Sequence, residues 1–289
     1  MVSDVLKRRS VRIQLAAVFV FVAALSLAVL VASAKSAPQF ITLASTTSTD
    51  NSGLLDAILP KFRAATGIEV RVVAVGTGQA LRLARNGDAD VLLVHDRQSE
   101  DQFVADGFGV SRHALMHNDF IIAGPTSDPA GLRNLANVGK ALAQVADQKA
   151  PFASRGDDSG THKAELRLWQ AAERDPVAFS GQWYRETGSG MGATLNTAAA
   201  MGAYVFVDRG TWLAFKNRLD LEVLVVGDPR LLNPYGVILV SPELHAHVKA
   251  VAGQAFIDWL LSSAGQKAIG DFRVNGEVLF VPDALPGAS

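Results

Sequence analysis

The chain has 289 residues, a formal net charge of −1 and no cysteine. Lacking cysteine, it can form no disulfide, thiolate metal site or cysteine nucleophile, so an exported form must rely on its core for stability. With 27 basic against 28 acidic side chains, it has no basic bias of the kind that marks a nucleic-acid binder.

Lys7, Arg8, Arg9 and Arg12 form a basic patch, and Leu15–Val31 is apolar apart from Ser26. Ala32-Ser33-Ala34 then has A-x-A spacing. This three-part pattern predicts a secretory signal peptide over residues 1–37, cut near Ala34 or Ala37, and hence a periplasmic protein. The same run is long enough to remain as a membrane anchor. Arg8-Arg9 also fits a twin-arginine export route. The first 34 residues carry those four cations against Asp4, so the −1 of the whole chain leaves the remainder at −4. That remainder, about 250 residues, is enough for one large or two modest domains.

Phe40–Ala44 reads as a short strand, followed by STTSTDNSG and an amphipathic helix near Leu54–Ala65. Gly67 ends that helix, and Ile68–Val75 is a β-branched strand. Gly76-Thr77-Gly78 leads into a helix near Gln79–Arg85, and Asn86-Gly87-Asp88 turns the chain into a strand at Asp90–Val94. This β–α–β–α–β order predicts a parallel sheet with helical crossovers, hence an α/β fold. Phe120–Ala123 and Val237–Val240 are further strand candidates, Leu195–Met201 is a helical run, and Ser263–Gln266 lies in a helical C-terminal region.

Open parallel sheets bind ligands beyond the carboxyl ends of their strands. Two clusters of small polar residues stand in that position: Ser45 to Thr49 and Gly76-Thr77-Gly78. Two more open helices: Arg155 to Thr161, and Ser189 to Thr194. Helix N-termini carry unpaired N–H groups and partial positive charge, which suits anions. Ser and Thr are also ordinary N-caps. The arginine in the third cluster tips the reading towards an oxyanion site, because it stays charged and can donate a fork of hydrogen bonds.

Enzyme motifs are missing. There is no P-loop, no HExxH, and Gly188-Ser189-Gly190-Met191-Gly192 is neither a nucleophile elbow nor a dinucleotide fingerprint. His113 and His117 are four apart but have no third ligand nearby, and His245 and His247 also lack partners in sequence. An exported phosphatase or serine hydrolase is therefore disfavoured, and no enzyme activity is expected.

The succession LASTTSTDNSGLLDAILPKF, VAVGTGQAL, GDADVLLVH, SRGDDSGTHKAE, TGSGMGATLN and DRGTW resembles the periplasmic tungstate-binding proteins of ABC transporters, across nearly the whole mature chain. The resemblance implies the type II periplasmic-binding-protein fold, with two α/β lobes joined by two crossover strands and closing on the ligand. It places lobe 1 at 38–120 plus 235–289 and lobe 2 at 121–234. It implies tungstate or molybdate as ligand, no cofactor, a permease as partner and a monomeric state. Carried onto this chain, it assigns ligand contacts to Thr46, Ser48, Thr77, Arg155 and Thr161. Ser45, Ser159, the backbone at Gly160, and Thr194 are further donors, and Asn196 braces the fourth loop.

Tungstate is a tetrahedral dianion with no proton to donate near neutral pH, so a site built only of donors suits it. Phosphate is the alternative, because SRGDDSGT also resembles a stretch of phosphate-binding proteins. Monohydrogen phosphate would favour a carboxylate in the pocket, and Asp50, Asp157 and Asp158 are the candidates. All three are expected to lie outside it, as turn residues.

Overall fold

The computed structural model describes residues 39–284, so the expected signal peptide lies outside the described residues. The chain begins with β1 (Phe40–Thr46), α1 (Thr47–Asn51), α2 (Leu54–Thr66), β2 (Glu69–Val75), α3 (Thr77–Arg85) and β3 (Val91–Val94). β1 pairs in parallel with both β2 and β3, as the alternating pattern predicts. Leu54, Leu55, Ile58 and Phe62 of α2 are buried, at the spacing that lines one helix face. α1 falls in a stretch read from sequence as loop. Its Ser- and Thr-rich composition favours no helix, but Thr46 caps it by accepting from Thr49 N at 3.2 Å.

α4 (Arg97–Ala105) leads to β4 (Gly109–Pro125), 17 residues long. Only Phe120–Ala123 of this strand is legible as an apolar run. Its first half, with Arg112, His113 and His117, is largely half-exposed and carries no continuous hydrophobic signal. Next come α5 (Val138–Asp147), β5 (Phe152–Ser154), α6 (Gly160–Ala171), β6 (Tyr184–Glu186), α7 (Met191–Met201), β7 (Tyr204–Asp208), α8 (Arg209–Ala214) and β8 (Leu221–Val225). The chain returns through β9 (Leu232–Val240), α9 (Ala250–Leu261), α10 (Ser263–Gly270) and the short strands β10 (Arg273–Val274), β11 (Glu277–Val278) and β12 (Val281–Pro282).

The main sheet has ten strands, in the order β2-β1-β3-β9-β4-β7-β5-β6, with β8 and β12 also pairing with β4. β4 is the element the two halves share. Its stretch from Gly109 to Asp119 pairs antiparallel with β9, and its end from Phe120 pairs with β7 and β8. In each half, apolar clusters cover both faces of the sheet. Around β1 to β3 these centre on Phe62, Phe256 and Leu260 on one side and Ala80, Phe103 and Val240 on the other. Around β5 to β7 they centre on Phe152, Trp169 and Tyr184, and on Leu195, Val205 and Trp212. This is a three-layer arrangement around a mixed sheet, parallel among β2, β1 and β3 and among β7, β5 and β6, and antiparallel where β9 and β4 run through its middle. No helix among the described residues is long and apolar enough to cross a membrane.

Gly124 marks the tightest packing in β4. A Cβ there would collide with the Tyr204 ring. The ring cannot retreat easily, because its hydroxyl donates to Asp128 at 2.8 Å and accepts from Ala130 N at 2.8 Å. Gly124→Ala is expected to lower unfolding free energy by about 1–3 kcal/mol, the usual cost of overpacking, measured by urea denaturation.

Candidate functional site

The carboxyl ends of β1, β2, β3 and β5 deliver Thr46, Gly76, His95 and Arg155 to one cleft. Its lining is Thr46, Thr47, Ser48, Val75, Gly76, Thr77, His95, Arg155, Ser159, Gly160 and Thr161, around a cavity of about 10 Å³. That is far below the size of drug-like pockets and restricts the site to a small occupant. The first turns of α1, α3 and α6 all contribute to the lining.

Seven of the nine residues expected as donors come together here: Thr46, Ser48, Thr77, Arg155, Ser159, Gly160 and Thr161. Two do not. Ser45 faces away, with Oγ donating to Leu93 O at 2.9 Å, because alternate residues of a strand point to opposite faces. Thr194 is fully buried on α7, its hydroxyl bonded to Thr187 Oγ1 at 2.7 Å and donating to Gly190 O at 3.2 Å. Its helix makes a local back-bond of it rather than a ligand donor. Asn196 donates to Gly192 O and accepts from Asn217, a bracing role.

Arg155 is 7% exposed and uses its Nε–Nη2 edge on Asp157, at 3.1 and 2.5 Å. Nη1 is the guanidinium nitrogen that Asp157 leaves unengaged. Burial works against ionisation of Asp157, but hydrogen bonds from Ser159 and Arg155 outweigh it and hold its carboxyl below the usual range. Asp157 thus buttresses the arginine without lining the cleft. Asp158 lies beside Lys163 at 3.7 Å, and Asp50 is exposed. Gly156 and Asp158 both adopt left-handed backbone, at φ 59° and 58°, in a loop where Arg155 and Ser159 share the cleft, Asp157 folds back onto both, and Asp158 is exposed.

Ser159 caps α6, accepting from His162 N at 3.2 Å. Gly160 N donates to Thr77 Oγ1 at 3.2 Å, across the cleft. A Cβ at Gly160 would sit 2.9 Å from that hydroxyl and 3.3 Å from His95, so only glycine allows the approach. Thr161 Oγ1 is buried and has no hydrogen-bond partner among the described residues. A buried hydroxyl left unmatched costs about 1–3 kcal/mol, and this one lies on the cleft wall.

Three contributors escaped the sequence reading. Thr47 is in the first turn of α1, a helix with no sequence signature. His95 lies just beyond β3, the same strand-end position that singled out Thr46 and Gly76, and that position was the available signal. Its Nε2 is 3.1 Å from Ser48 Oγ and its Nδ1 is 3.0 Å from Asn233 Oδ1. Burial, aided by Arg155, holds its pKa below the ordinary histidine value against the pull of Asp208, Asn233 and Asp96. The third is Glu165 of α6, fully buried. It accepts from Ser154 Oγ at 2.8 Å, Tyr184 OH at 2.8 Å and Trp169 Nε1 at 3.1 Å. These bonds fix α6 against β5 and so fix the start of the Arg155 loop.

A larger cleft is lined by Arg97, Asp101, Phe120, Arg167 and Arg230. Its arginines are already paired, Arg97 with Asp101, Arg167 with Asp96 and Arg230 with Asp228. The described residues hold no group of three or more side chains suited to a metal ion. His117 pairs with Asp283 at 2.6 Å, while His245 and His247 bond the carbonyls of Arg85 and Gly87.

Burial raises the Glu165 carboxyl to about 7 despite its three donors. The folded state therefore holds this proton up to about pH 7, whereas the unfolded chain releases it near 4.5. The associated stability is present below the unfolded value and is lost as pH rises through the folded one. Glu165→Gln keeps an acceptor for Trp169 and Tyr184 and cannot ionise. Urea denaturation at a series of pH values is expected to show a slope of stability smaller by about one proton equivalent in this variant between about pH 5 and 7.

The chain matches the PBP-like 2 family, a PBP superfamily domain, over residues 31–264. It is 48% identical over 248 residues to the tungstate-binding protein TupA of Peptoclostridium acidaminophilum, covering 84% of this chain and 86% of that one. The structure of the tungstate-binding protein TupA from Desulfovibrio alaskensis G20 aligns with a TM-score of 0.77 at 46% identity, covering 86% of this chain and 100% of that one. The crystal structure of the tungstate ABC transporter from Geobacter sulfurreducens gives a TM-score of 0.74 at 46% identity, covering 82% and 100%. With a donor-lined cleft at the strand ends of a periplasmic-binding-protein fold, the chain belongs to the PBP superfamily, in the family of the TupA tungstate-binding proteins.

Proposed function

We propose that the protein is a periplasmic solute-binding protein that captures tungstate or molybdate and delivers it to an ABC permease. It acts as a monomer, without cofactor and without enzyme activity. The observation that carries this reading is the buried Thr161 hydroxyl, which has no partner among the described residues, on the wall of a cleft that those residues line with donors and with no carboxylate. A deprotonated tetrahedral oxyanion would satisfy it. The position of Asp50, Asp157 and Asp158 outside the lining favours such an ion over monohydrogen phosphate, which brings a proton that needs an acceptor.

In this reading lobe 1 comprises residues 38–120 and 235–289, and lobe 2 residues 121–234. Thr46, Ser48 and Thr77 then stand on one lobe, with Arg155, Ser159, Gly160 and Thr161 on the other. An ion bonded to both stabilises the closed state, which a permease can recognise. Nanomolar affinity needs about 12 kcal/mol. Hydrogen bonds to a charged group contribute about 1.5–3 kcal/mol each, so roughly six to eight suffice before closure and desolvation are subtracted.

Isothermal titration with tungstate, molybdate, sulfate and phosphate near neutral pH tests the reading. Tight tungstate binding with no phosphate signal is expected, and tight phosphate binding or silence from all four would overturn it. Thr161→Val is expected to weaken tungstate binding about tenfold, and Arg155→Ala about a hundredfold or more, from the hydrogen bonds each removes. Gly160→Ala is expected to weaken it about tenfold through imperfect closure while leaving the thermal midpoint within a few degrees.

A further inference from the structure

His95 is 5% exposed and stacks on Tyr235, with ring centroids 4.8 Å apart. It touches the cleft through Ser48 and is held from behind by Asn233. The Asn233 amide nitrogen donates to Asn118 Oδ1 at 2.7 Å, which turns its oxygen towards the imidazole. Nδ1 must therefore carry the proton of the neutral ring, and Nε2 must accept. The hydroxyl at 3.1 Å that can supply a proton to Nε2 is that of Ser48. Ser48 then spends its proton on the histidine, and its lone pairs remain for the cleft.

That orientation is wrong for an ion made only of acceptors. Thr46 compounds the difficulty, because its oxygen already accepts from Thr49 N, at 3.2 Å, and lies 3.0 Å from Ser48 Oγ. A proton placed on Nε2 reverses the sense of the pair. Nε2–H then donates to Ser48 Oγ, and the Ser48 hydroxyl is free to donate to an anion oxygen. The imidazolium also brings positive charge to a cleft where Arg155 is already paired with Asp157.

The groups facing His95 permit this change. Asp208 and Asp96 favour the cation, with Asp96 partly committed to Arg167 at 2.9 Å, while Arg155 opposes it. Tyr235, whose own pKa burial drives upwards, stays neutral. In the free protein, burial keeps the ring neutral. A bound dianion adds two negative charges on the Ser48 side and shifts the balance.

We propose that His95 makes anion capture proton-linked: binding a deprotonated oxyanion draws a proton from solvent onto Nε2 and turns the Ser48 hydroxyl into the cleft. The proposal rests on the oxyanion-binding reading and assigns His95 a positioning role within it. A group whose pKa is higher in the bound than in the free state makes affinity rise as pH falls, by at most about tenfold per pH unit for one proton.

The test is titration of the protein with sodium tungstate near neutral pH, in buffers of different ionisation enthalpy. Net proton uptake of up to one per ion is expected, with affinity increasing from about pH 8.5 to 7, and both effects lost in His95→Gln. Tungstate binding whose enthalpy does not depend on buffer would overturn the proton link and leave the oxyanion reading standing. No binding of tungstate would overturn both. Histidine ring ¹⁵N spectra of the wild-type protein provide a readout that does not depend on a variant folding. An Nδ1–H tautomer that becomes doubly protonated on adding tungstate is the expected change. A His95 signal that keeps its tautomer in the bound state would overturn the proposal, and it would assign any proton uptake to another group such as Glu165.

Discussion

A dianion leaves water only for a site that replaces its hydrogen bonds, and this requirement organises the protein. Removing a carboxylate-sized ion from water costs several kcal/mol even after the surroundings relax, so each anion oxygen has to meet a donor. The cleft answers with backbone and hydroxyl groups at the starts of α1, α3 and α6 and with very little net charge. Arg155 is buried, and Asp157 holds it in place through two hydrogen bonds. The pair fixes the guanidinium at the cost of most of its monopole. What remains to hold an anion is direction: Nη1, helix N–H groups and hydroxyls whose positions the sheet sets.

The sheet can do this because its strands end together. β1, β2 and β3 lie side by side and parallel, so residues following each strand reach the same edge. β5 repeats the arrangement in the other half, with Ser154 at its end and Arg155 next. Helix α6 then joins several tasks in one element. Its first residue approaches Thr77, Glu165 anchors it to β5, and Arg167 reaches Asp96 across the sheet halves. The contacts made across the cleft include a 3.2 Å bond and an ion pair between a partly exposed arginine and a buried aspartate.

Much of this was legible in the sequence because it is local. Alternating strands and helices, small polar clusters at strand ends and one arginine before a helix start marked the segments that line the cleft, and the resemblance to tungstate-binding proteins picked out seven of their residues from Thr46 to Thr161. What was not legible depends on direction and distance in space. Ser45 and Thr194 have suitable chemistry and neighbouring positions, but the strand alternation at Ser45 and the helix backbone at Thr194 turn their hydroxyls elsewhere. Glu165 reads as an ordinary helical charge until Tyr184 and Ser154 close around it. The first half of β4 carries no apolar run, because long-range pairing with β9 stabilises it. His95 needed Asn233, 138 residues away in sequence and itself oriented by Asn118, to acquire a defined tautomer.

The tautomer bears on selectivity as well as affinity. With a neutral His95, Ser48 presents lone pairs to the cleft, and a protonated oxyanion could donate to them. With a charged His95, the same hydroxyl becomes a donor, and the hydroxyl of monohydrogen phosphate would face donors with nothing to accept its proton. A buried donor left unmatched costs about 1–3 kcal/mol, or about one to two orders of magnitude in affinity. Under the proposed linkage the proton that strengthens binding of a bare oxyanion also penalises its protonated competitor. Discrimination of this kind follows from the hydrogen-bond sense of one serine and requires no carboxylate in the cleft. It is consistent with Asp157 being turned onto Arg155 and Asp158 out towards Lys163.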